Sequence, residues 1–584
     1  MYDPERVTTF AYADSRNKNV EFGIKAKDRT RHVYVIGKTG LGKSTLLENM
    51  AVQDIANGEG MAFIDPHGKT AELLLNYVPE HRLKDVLYFA PFDMEHPISF
   101  NILEDVGYDK RHLVVSGLMS TFKKIWVDAW SARMEYILSN TLLALLETPG
   151  TTLLGVNKML ADKDYRKKIV DNIKDPSVKS FWVDEFAKYT DRFAAEATPS
   201  IQNKVGQFTA NPLIRNIVGQ PKSSFDLRKM MDENKIIIIN LSKGRVGETN
   251  ANLLGSMFIT KIYLAAMSRA DVSDRELQKL PNFYLYVDEF QSFANESFAD
   301  ILSEARKYKL NLTIAHQYIE QMSEEVRAAV FGNVGTMITF RVGAFDAEVL
   351  EKEFAPQFTA EDLVNLGFTQ IYLKLMIDGV SSQPFSASTM PPIKEPAKSF
   401  REEVIEMSRQ QFAVKRAIVE QDVIDWHKDK GQTQVIKEKK TETKIPEKKS
   451  EKVPEKVMPK TVEKKETPPV KNFNQTAQVV RPKYVKREEV KPVLPPLEEV
   501  DDDFVPLKEL KPKAQEKPVI IGQNNGVKKA VNEKSLAELR AVLQSFNKDK
   551  NIEKLKPAVA KSSDEVKEIP EDKLREMLQV DNKK

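Results

Sequence analysis

Short runs of β-branched and aromatic residues alternate with stretches of helical periodicity along the first hundred residues. His32-Val33-Tyr34-Val35-Ile36 reads as a buried strand, followed by a glycine-rich turn and a helix from about Ser44 to Ala56. Met61-Ala62-Phe63-Ile64-Asp65 and Val86-Leu87-Tyr88-Phe89 read as two more strands. Strands separated by helical patterns imply βαβ units and a mostly parallel sheet. From about Glu104 to Glu233 the strand runs vanish, and segments such as Ala132–Leu146 carry apolar residues at spacings of three and four, the pattern of packed amphipathic helices. Strands resume at Lys235–Asn240, Phe283–Val287, Leu312–Ala315, Thr336–Phe340 and Gln370–Leu375, and a helical segment near Ala397–His427 closes the globular part.

The expected class is therefore α/β, a mostly parallel central sheet interrupted by a large all-α insertion. Expected boundaries are 1–104 and 234–392 for the two parts of the sheet domain, 105–233 for the insertion, 393–430 for the closing helices and 431–584 for a tail. The tail is a different material: 14 of the 30 prolines follow Thr433, and Lys, Glu, Pro and Val dominate. Such a segment buries too little apolar surface to offset chain entropy, so disorder is expected. Two islands in it, Ser535–Phe546 and Asp572–Val580, have helical apolar spacing. They read as transient helices in a solvated tail, with docking on a partner as the alternative.

Charge changes the picture once it is divided. The 584 residues carry net +3, but residues 431–584 hold 35 basic and 27 acidic side chains, net +8, leaving residues 1–430 with 53 and 58, net −5. A body of that charge is no blanket nucleic-acid binder, so any contact with DNA there must be a local stripe or pore. The absence of cysteine excludes a disulfide scaffold, a zinc finger, an iron–sulfur cluster and a thiol nucleophile. Met1-Tyr2-Asp3-Pro4-Glu5-Arg6 shows no signal-peptide order, and nowhere do ~18 apolar residues run together, so a soluble, cytoplasmic chain without a membrane span is expected.

The strongest chemical signal is Gly37-Lys38-Thr39-Gly40-Leu41-Gly42-Lys43-Ser44-Thr45, a match to G-x-x-x-x-G-K-[ST] lying between a predicted strand and a predicted helix. Glycines let backbone amides turn inward as an anion nest, and the helix N-terminus adds its dipole. Lys43 would reach the β- and γ-phosphates of ATP, and the Ser44 hydroxyl would ligate Mg²⁺. Tyr284-Leu285-Tyr286-Val287-Asp288-Glu289 is an apolar strand ending in two carboxylates. There Asp288 would hold the Mg²⁺ shell and Glu289 would act as general base on water. Gln317, closing Ile314-Ala315-His316-Gln317, suits a γ-phosphate sensor, because a neutral amide does not compete as a base. Arg306, between those strands, offers the fixed guanidinium of an arginine finger entering a neighbouring subunit, with Arg341 as its rival.

Other candidates read as structural. The seven histidines are scattered without ligand spacing, so a dedicated metal site is not expected. Asp65-Pro66-His67-Gly68 reads as a turn supporting the site rather than as catalytic. Trp126, Trp130 and Trp182 read as core rather than as base-stacking platforms, and Lys123-Lys124 as a solvated helix face rather than a phosphate contact.

In this order, the P-loop, Asp65-Pro66-His67-Gly68, a helical insertion, Asn240-Leu241-Ser242-Lys243-Gly244, Val287-Asp288-Glu289-Phe290, Arg306-Lys307 and Ala315-His316-Gln317 resemble the HerA–FtsK superfamily. Within it the chain is most similar to the conjugative coupling proteins (TraD/TraG type) of type IV secretion systems, over roughly residues 20–392. The resemblance implies a RecA-like motor that forms a hexameric ring and moves DNA through its centre. Lys43, Ser44, Asp288, Glu289 and Gln317 would take the nucleotide roles given above, and Arg306 that of the trans-acting arginine. Only 32 residues precede Val33, too few for the membrane hairpin usual in coupling proteins, so attachment to membrane-bound channel proteins would come through a partner or the tail. A secretion ATPase that drives protein export or pilus assembly and never grips DNA, and a nucleotide-dependent switch with the tail as scaffold, are the alternatives. Holding ATP needs no general base, so the carboxylate pair argues against a pure switch.

Overall fold

The structure, a computed structural model, describes residues 3–428 except 16–17, 191, 193–195 and 296. Within it run β1 (Val7–Ser15), β2 (Lys18–Lys25), β3 (Val33–Ile36), β4 (Gly60–Asp65), β5 (Val86–Phe89), β6 (Ile236–Asn240), β7 (Phe283–Val287), β8 (Leu310–His316), β9 (Thr336–Thr339), β10 (Gln370–Lys374), β11 (Met376–Ile377), β12 (Val380–Ser381) and β13 (Phe385–Thr389). All but the small β11–β12 hairpin join one sheet in the order β2-β1-β13-β10-β9-β3-β8-β7-β4-β6-β5.

The seven strands from β9 to β5 are mutually parallel, while β10, β13, β1 and β2 extend the sheet antiparallel. Parallel strands covered on both faces need apolar residues throughout, and Ile236-Ile237-Ile238-Ile239 of β6 are fully buried. Register aligns the carboxyl ends that matter: Ile36 lies opposite both His316 and Thr339, and Val287 opposite both Ile64 and Ile314. Residues that follow β3, β4, β7 and β8 therefore emerge at one edge, where open α/β sheets place their ligands.

Alternate side chains divide the core between the two faces, as the pleat requires. Val33, Val35, Met61, Phe63, Tyr284 and Tyr286 pack with helices α1 (Lys43–Ala56) and α2 (Lys69–Leu74). On the other face Tyr34, Ile36, Ala62, Ile64, Leu285 and Val287 belong to one core with the helical insertion and a long later helix.

The insertion begins with α3 (Arg111–Ile125) and α4 (Ala132–Leu146), and α4 starts at Ser131, whose Oγ accepts from the Met134 amide. Further helices, Gly155–Ala161, Lys163–Asn172, Pro199–Ala210, Pro212–Val218 and Leu227–Asp232, follow before β6, with no strand among the described residues between β5 and β6. The long helix is α5 (Glu248–Met267). Gly117 of α3 lies so close to it that a Cβ there would meet Thr260 Cγ2 at 2.5 Å. Trp182 is buried beside Phe181 and Phe186, while Trp126 and Trp130 are half-buried against the same core, so the insertion's tryptophans are packing residues.

The closing segment is two helices, α6 (Arg401–Phe412) and α7 (Arg416–Lys428). Between them Ala413 pairs with Ile98, and the Val414 amide donates to the Pro97 carbonyl, which takes the chain out of helix. α6 returns to β5, where Ser408 Oγ accepts from the Tyr88 amide, and α7 lies on the insertion, with Asn216 Nδ2 donating to Glu420 Oε1 at 3.3 Å. The tail and its islands Ser535–Phe546 and Asp572–Val580 lie outside the described residues.

Candidate active site

The loop from Gly37 to Gly42 leaves β3 and enters α1 at Lys43. Gly40 and Gly42 have φ of +80° and +112°, backbone that L-residues rarely adopt, and this turns the loop into the helix N-terminus. The loop is pinned at its base: the Gly37 amide donates to the His316 carbonyl at 3.3 Å and the Lys38 amide to the Arg341 carbonyl at 2.9 Å. Lys43 is buried, its Nζ donating to the carbonyls of Gly37 at 2.6 Å and Lys38 at 3.1 Å. An ammonium resting on two main-chain carbonyls can exchange them for phosphate oxygens, and burial lowers its pKa.

Across the edge, the Ser44 hydroxyl donates to Asp288 Oδ2 at 2.8 Å, and the Glu289 amide donates to Asp288 Oδ1 at 2.9 Å. Burial pushes the Asp288 carboxyl up to about 6, an effect that Ser44 opposes and Glu289 reinforces. That pent-up charge, beside a hydroxyl at the head of α1, suits a divalent cation carrying phosphate oxygens. Glu289 sits at φ +49°, a left-handed turn at the end of β7. Burial raises its pKa, but the neighbouring His67 and the hydrogen bonds of Gln291 and Gln317 outweigh burial and hold the carboxyl at about 2. It is ionised at any working pH.

Gln317 links the two halves. Its Nε2 donates to Glu289 Oε1 and its Oε1 accepts from the Thr39 hydroxyl at 2.9 Å. One amide therefore touches both the phosphate loop and the carboxylate that faces it.

The structure brings Thr39, Lys43, Ser44, Asp288, Glu289 and Gln317 together and leaves Arg306 apart. Arg306 is exposed in the turn Ala305–Tyr308, which precedes β8, so it lies at the opposite end of the sheet, roughly 20 Å of strand away. Arg341 is exposed at the site's own edge, its carbonyl holding the phosphate loop.

Over residues 3–335 the chain matches the family model for the type IV secretory system conjugative DNA transfer proteins. The chain belongs to this family. Solved structures similar to this member include the bacterial conjugative coupling protein TrwBdeltaN70 in an unbound form, at 14% identity and TM-score 0.48, covering 65% of this chain and 89% of that one. Plasmid coupling protein TrwB in complex with ADP and Mg²⁺ is similar at 16% identity and TM-score 0.48, with the same coverages. VirB4 of Thermoanaerobacter pseudethanolicus is similar at 14% identity and TM-score 0.44, covering 69% of this chain and 99% of that one. No curated protein matches the chain. Among its described residues no helix is long and apolar enough to cross a membrane.

Sequence reasoning under-read several residues of this family member's site. Asp65 is a turn residue: its carboxylate accepts from the amides of His67 at 2.8 Å and Ala71 at 2.9 Å. His67, however, reaches back until its Nε2 is 3.7 Å from Glu289 Oε1, and that carboxylate raises the imidazole pKa. Lys243 Nζ donates to Ser292 Oγ at 2.9 Å, tying the Asn240–Gly244 segment to the turn after Glu289. Lys124 departs from the solvated helix face expected of it, because its ammonium donates to the carbonyls of Gln291 and Ala294, while Lys123 is exposed. The insertion folds α3 over a loop that lies well over a hundred residues later in the chain, and no local pattern marks that.

Proposed function

We propose that the protein is a Mg²⁺-dependent ATPase that assembles as a ring, of six subunits by its resemblance to ring motors, and drives DNA through it for a type IV secretion system. The observation that carries this reading is the joint Thr39–Gln317–Glu289 and Ser44–Asp288 network at the carboxyl ends of β3, β7 and β8, in a chain of the conjugative DNA transfer family.

The residues fit ATP and Mg²⁺. The glycine turns leave the loop amides beyond Lys38 and the first turn of α1 to receive phosphate, and Lys43 would leave its carbonyls to neutralise it. Ser44 and Asp288 would hold Mg²⁺. The ion would supply charge neutralisation between phosphate oxygens. Glu289, ionised and held by Gln317, orients water and takes its proton. Gln317, in contact with both Thr39 and Glu289, would register the γ-phosphate and couple filling of the loop to the position of the base. Arg306, exposed and remote from its own loop, would act on a neighbouring subunit, and DNA and further copies of the chain are the partners proposed. Membrane-bound channel proteins, reached through the tail, would be the remaining partners.

A second reading, a secretion ATPase that exports protein without gripping DNA, is favoured by one observation: residues 1–430 carry net −5. Two measurements test the proposal. Glu289→Gln should bind ATP yet turn over at least about a hundredfold more slowly. DNA should stimulate the wild type in a salt-sensitive way, and turnover indifferent to DNA would favour protein export.

A further inference from the structure

The segment after Glu289 has an unusual support. Glu289 itself turns left-handed, and Gln291, two residues on, donates its side-chain Nε2 to Glu289 Oε2. The carboxylate's position therefore depends on where Gln291 is held. Gln291 lies in the short turn Phe290–Ser292, which Lys243 ties at Ser292, and its own carbonyl is held from the helical insertion. Lys124 Nζ donates to the Gln291 carbonyl and to the Ala294 carbonyl. Two neighbours on the same helix add weaker ties: Thr121 Oγ1 accepts from Asn295 Nδ2 at 3.3 Å, and Ser120 Oγ accepts from Ser297 Oγ at 3.1 Å.

Positions 120, 121 and 124 form one face of α3. A helix packed only for stability would present apolar side chains there. Instead it presents an ammonium that is paired with main-chain carbonyls and, among the described residues, with no carboxylate. Desolvating a lysine without a counter-charge is costly, so its bonds to these carbonyls must be retained for the segment to stay in place. Just beyond Lys124, α3 ends at Ile125, and the turn to α4 exposes Val127 at the surface of the insertion.

We propose that Lys124 is a positioning residue for the base Glu289. It holds Gln291 from the helical insertion, and so makes turnover depend on how α3 is seated. The proposal rests on the ATPase reading above and deepens it. Any load that shifts α3, applied at the exposed α3–α4 turn, moves Lys124, then Gln291, then the carboxylate, while the phosphate loop keeps its own anchors on His316 and Arg341.

The test uses the full chain. Lys124→Met keeps the length of the side chain and removes its donors. It should lower kcat about tenfold or more while KM for ATP and the Kd of a non-hydrolysable ATP analogue stay within about twofold, because only the base is displaced. Lys124→Arg should recover most of the lost kcat. Gln291→Leu cuts the same relay from the other side and should lower kcat similarly. The double variant should be no slower than the slower single variant, the non-additivity of residues acting in one chain. Wild-type kcat in folded Lys124→Met overturns the proposal, as does a parallel fall in nucleotide affinity, which would mark Lys124 as a structural stitch. If Lys124→Met does not fold, Gln291→Leu decides: unchanged kcat overturns the proposal. Failure of the ATPase reading is distinguishable, because wild type and Glu289→Gln would then show equal turnover whatever Lys124 does.

Discussion

The Ser44 hydroxyl donates to Asp288 Oδ2 across 2.8 Å, joining the first turn of α1 to the end of β7 although 244 residues separate them. In that arrangement two groups suited to Mg²⁺ already share a site, one a hydroxyl and the other a carboxylate that burial leaves poorly solvated. Chelating Mg²⁺ should therefore abolish hydrolysis. Ser44→Ala should raise the Mg²⁺ concentration needed for half-maximal turnover by about tenfold or more, read from ATPase titrations with Mg²⁺. An unchanged requirement would show that Ser44 does not face the ion.

The two arginines make different predictions because they lie at different ends of the sheet. Arg306→Ala should abolish turnover while leaving nucleotide binding intact. Mixing it with Lys43→Ala subunits, themselves inactive, should restore measurable hydrolysis, since one subunit supplies the loop and the other the guanidinium. If Arg341→Ala behaves this way and Arg306→Ala remains active, the trans-acting residue is Arg341.

Beneath the site, Arg29 and Asp54 form a fully buried pair: Nη1 donates to Oδ1 at 2.7 Å and Nη2 to Oδ2 at 2.9 Å. Nη2 also donates to the Tyr286 hydroxyl at 2.7 Å, and the guanidinium stacks 3.7 Å from the Tyr284 ring centroid. The cluster fastens the turn before β3 to α1 and to the strand that carries Asp288. Arg29→Met strands a buried carboxylate and should cost about 3–5 kcal/mol, whereas the double variant Arg29→Met/Asp54→Leu should cost less than Arg29→Met alone. Denaturant unfolding of both variants checks this.

Much of this was legible in the sequence, and the reason is physical. β3, β4, β5, β6 and β7 are buried on both faces, so they appear as unbroken apolar runs, and the phosphate loop and the Asp288-Glu289 pair sit at the ends of such runs. β1, β2 and β13 were not legible. They form the antiparallel flank, where Asn19, Val20 and Glu21 are exposed and no apolar run marks the strand. Lys124, His67 and Gln291 were missed for another reason. Their importance comes from the fold bringing α3, the turn after β4 and the turn after β7 to one carboxylate, and spacing along the chain does not encode that.

His32 gives a pH prediction. Burial, with the positive charge of Arg306 adding to it, lowers its pKa from 6.5 to about 4, and its Nδ1 accepts from the Leu312 amide at 3.1 Å. Between pH 6.5 and 4 the unfolded chain binds a proton there that the folded chain cannot. Stability contributed by neutral His32 is thus full above about pH 6.5 and falls as pH drops, by about 1.4 kcal/mol per unit, until about pH 4. His32→Asn should flatten that part of the curve relative to wild type in denaturant unfolding at pH 7.5, 6 and 5. Equal slopes would place the acid sensitivity elsewhere.

If the proposed ATP site powers the movement of DNA, hydrolysis there must respond to DNA. The most direct measurement is steady-state ATP hydrolysis by the purified full chain, with and without single- and double-stranded DNA, at low and moderate salt. The account predicts strong stimulation by DNA that fades as salt rises, and its loss in Glu289→Gln. Turnover that is the same with and without DNA at both salt concentrations would contradict it.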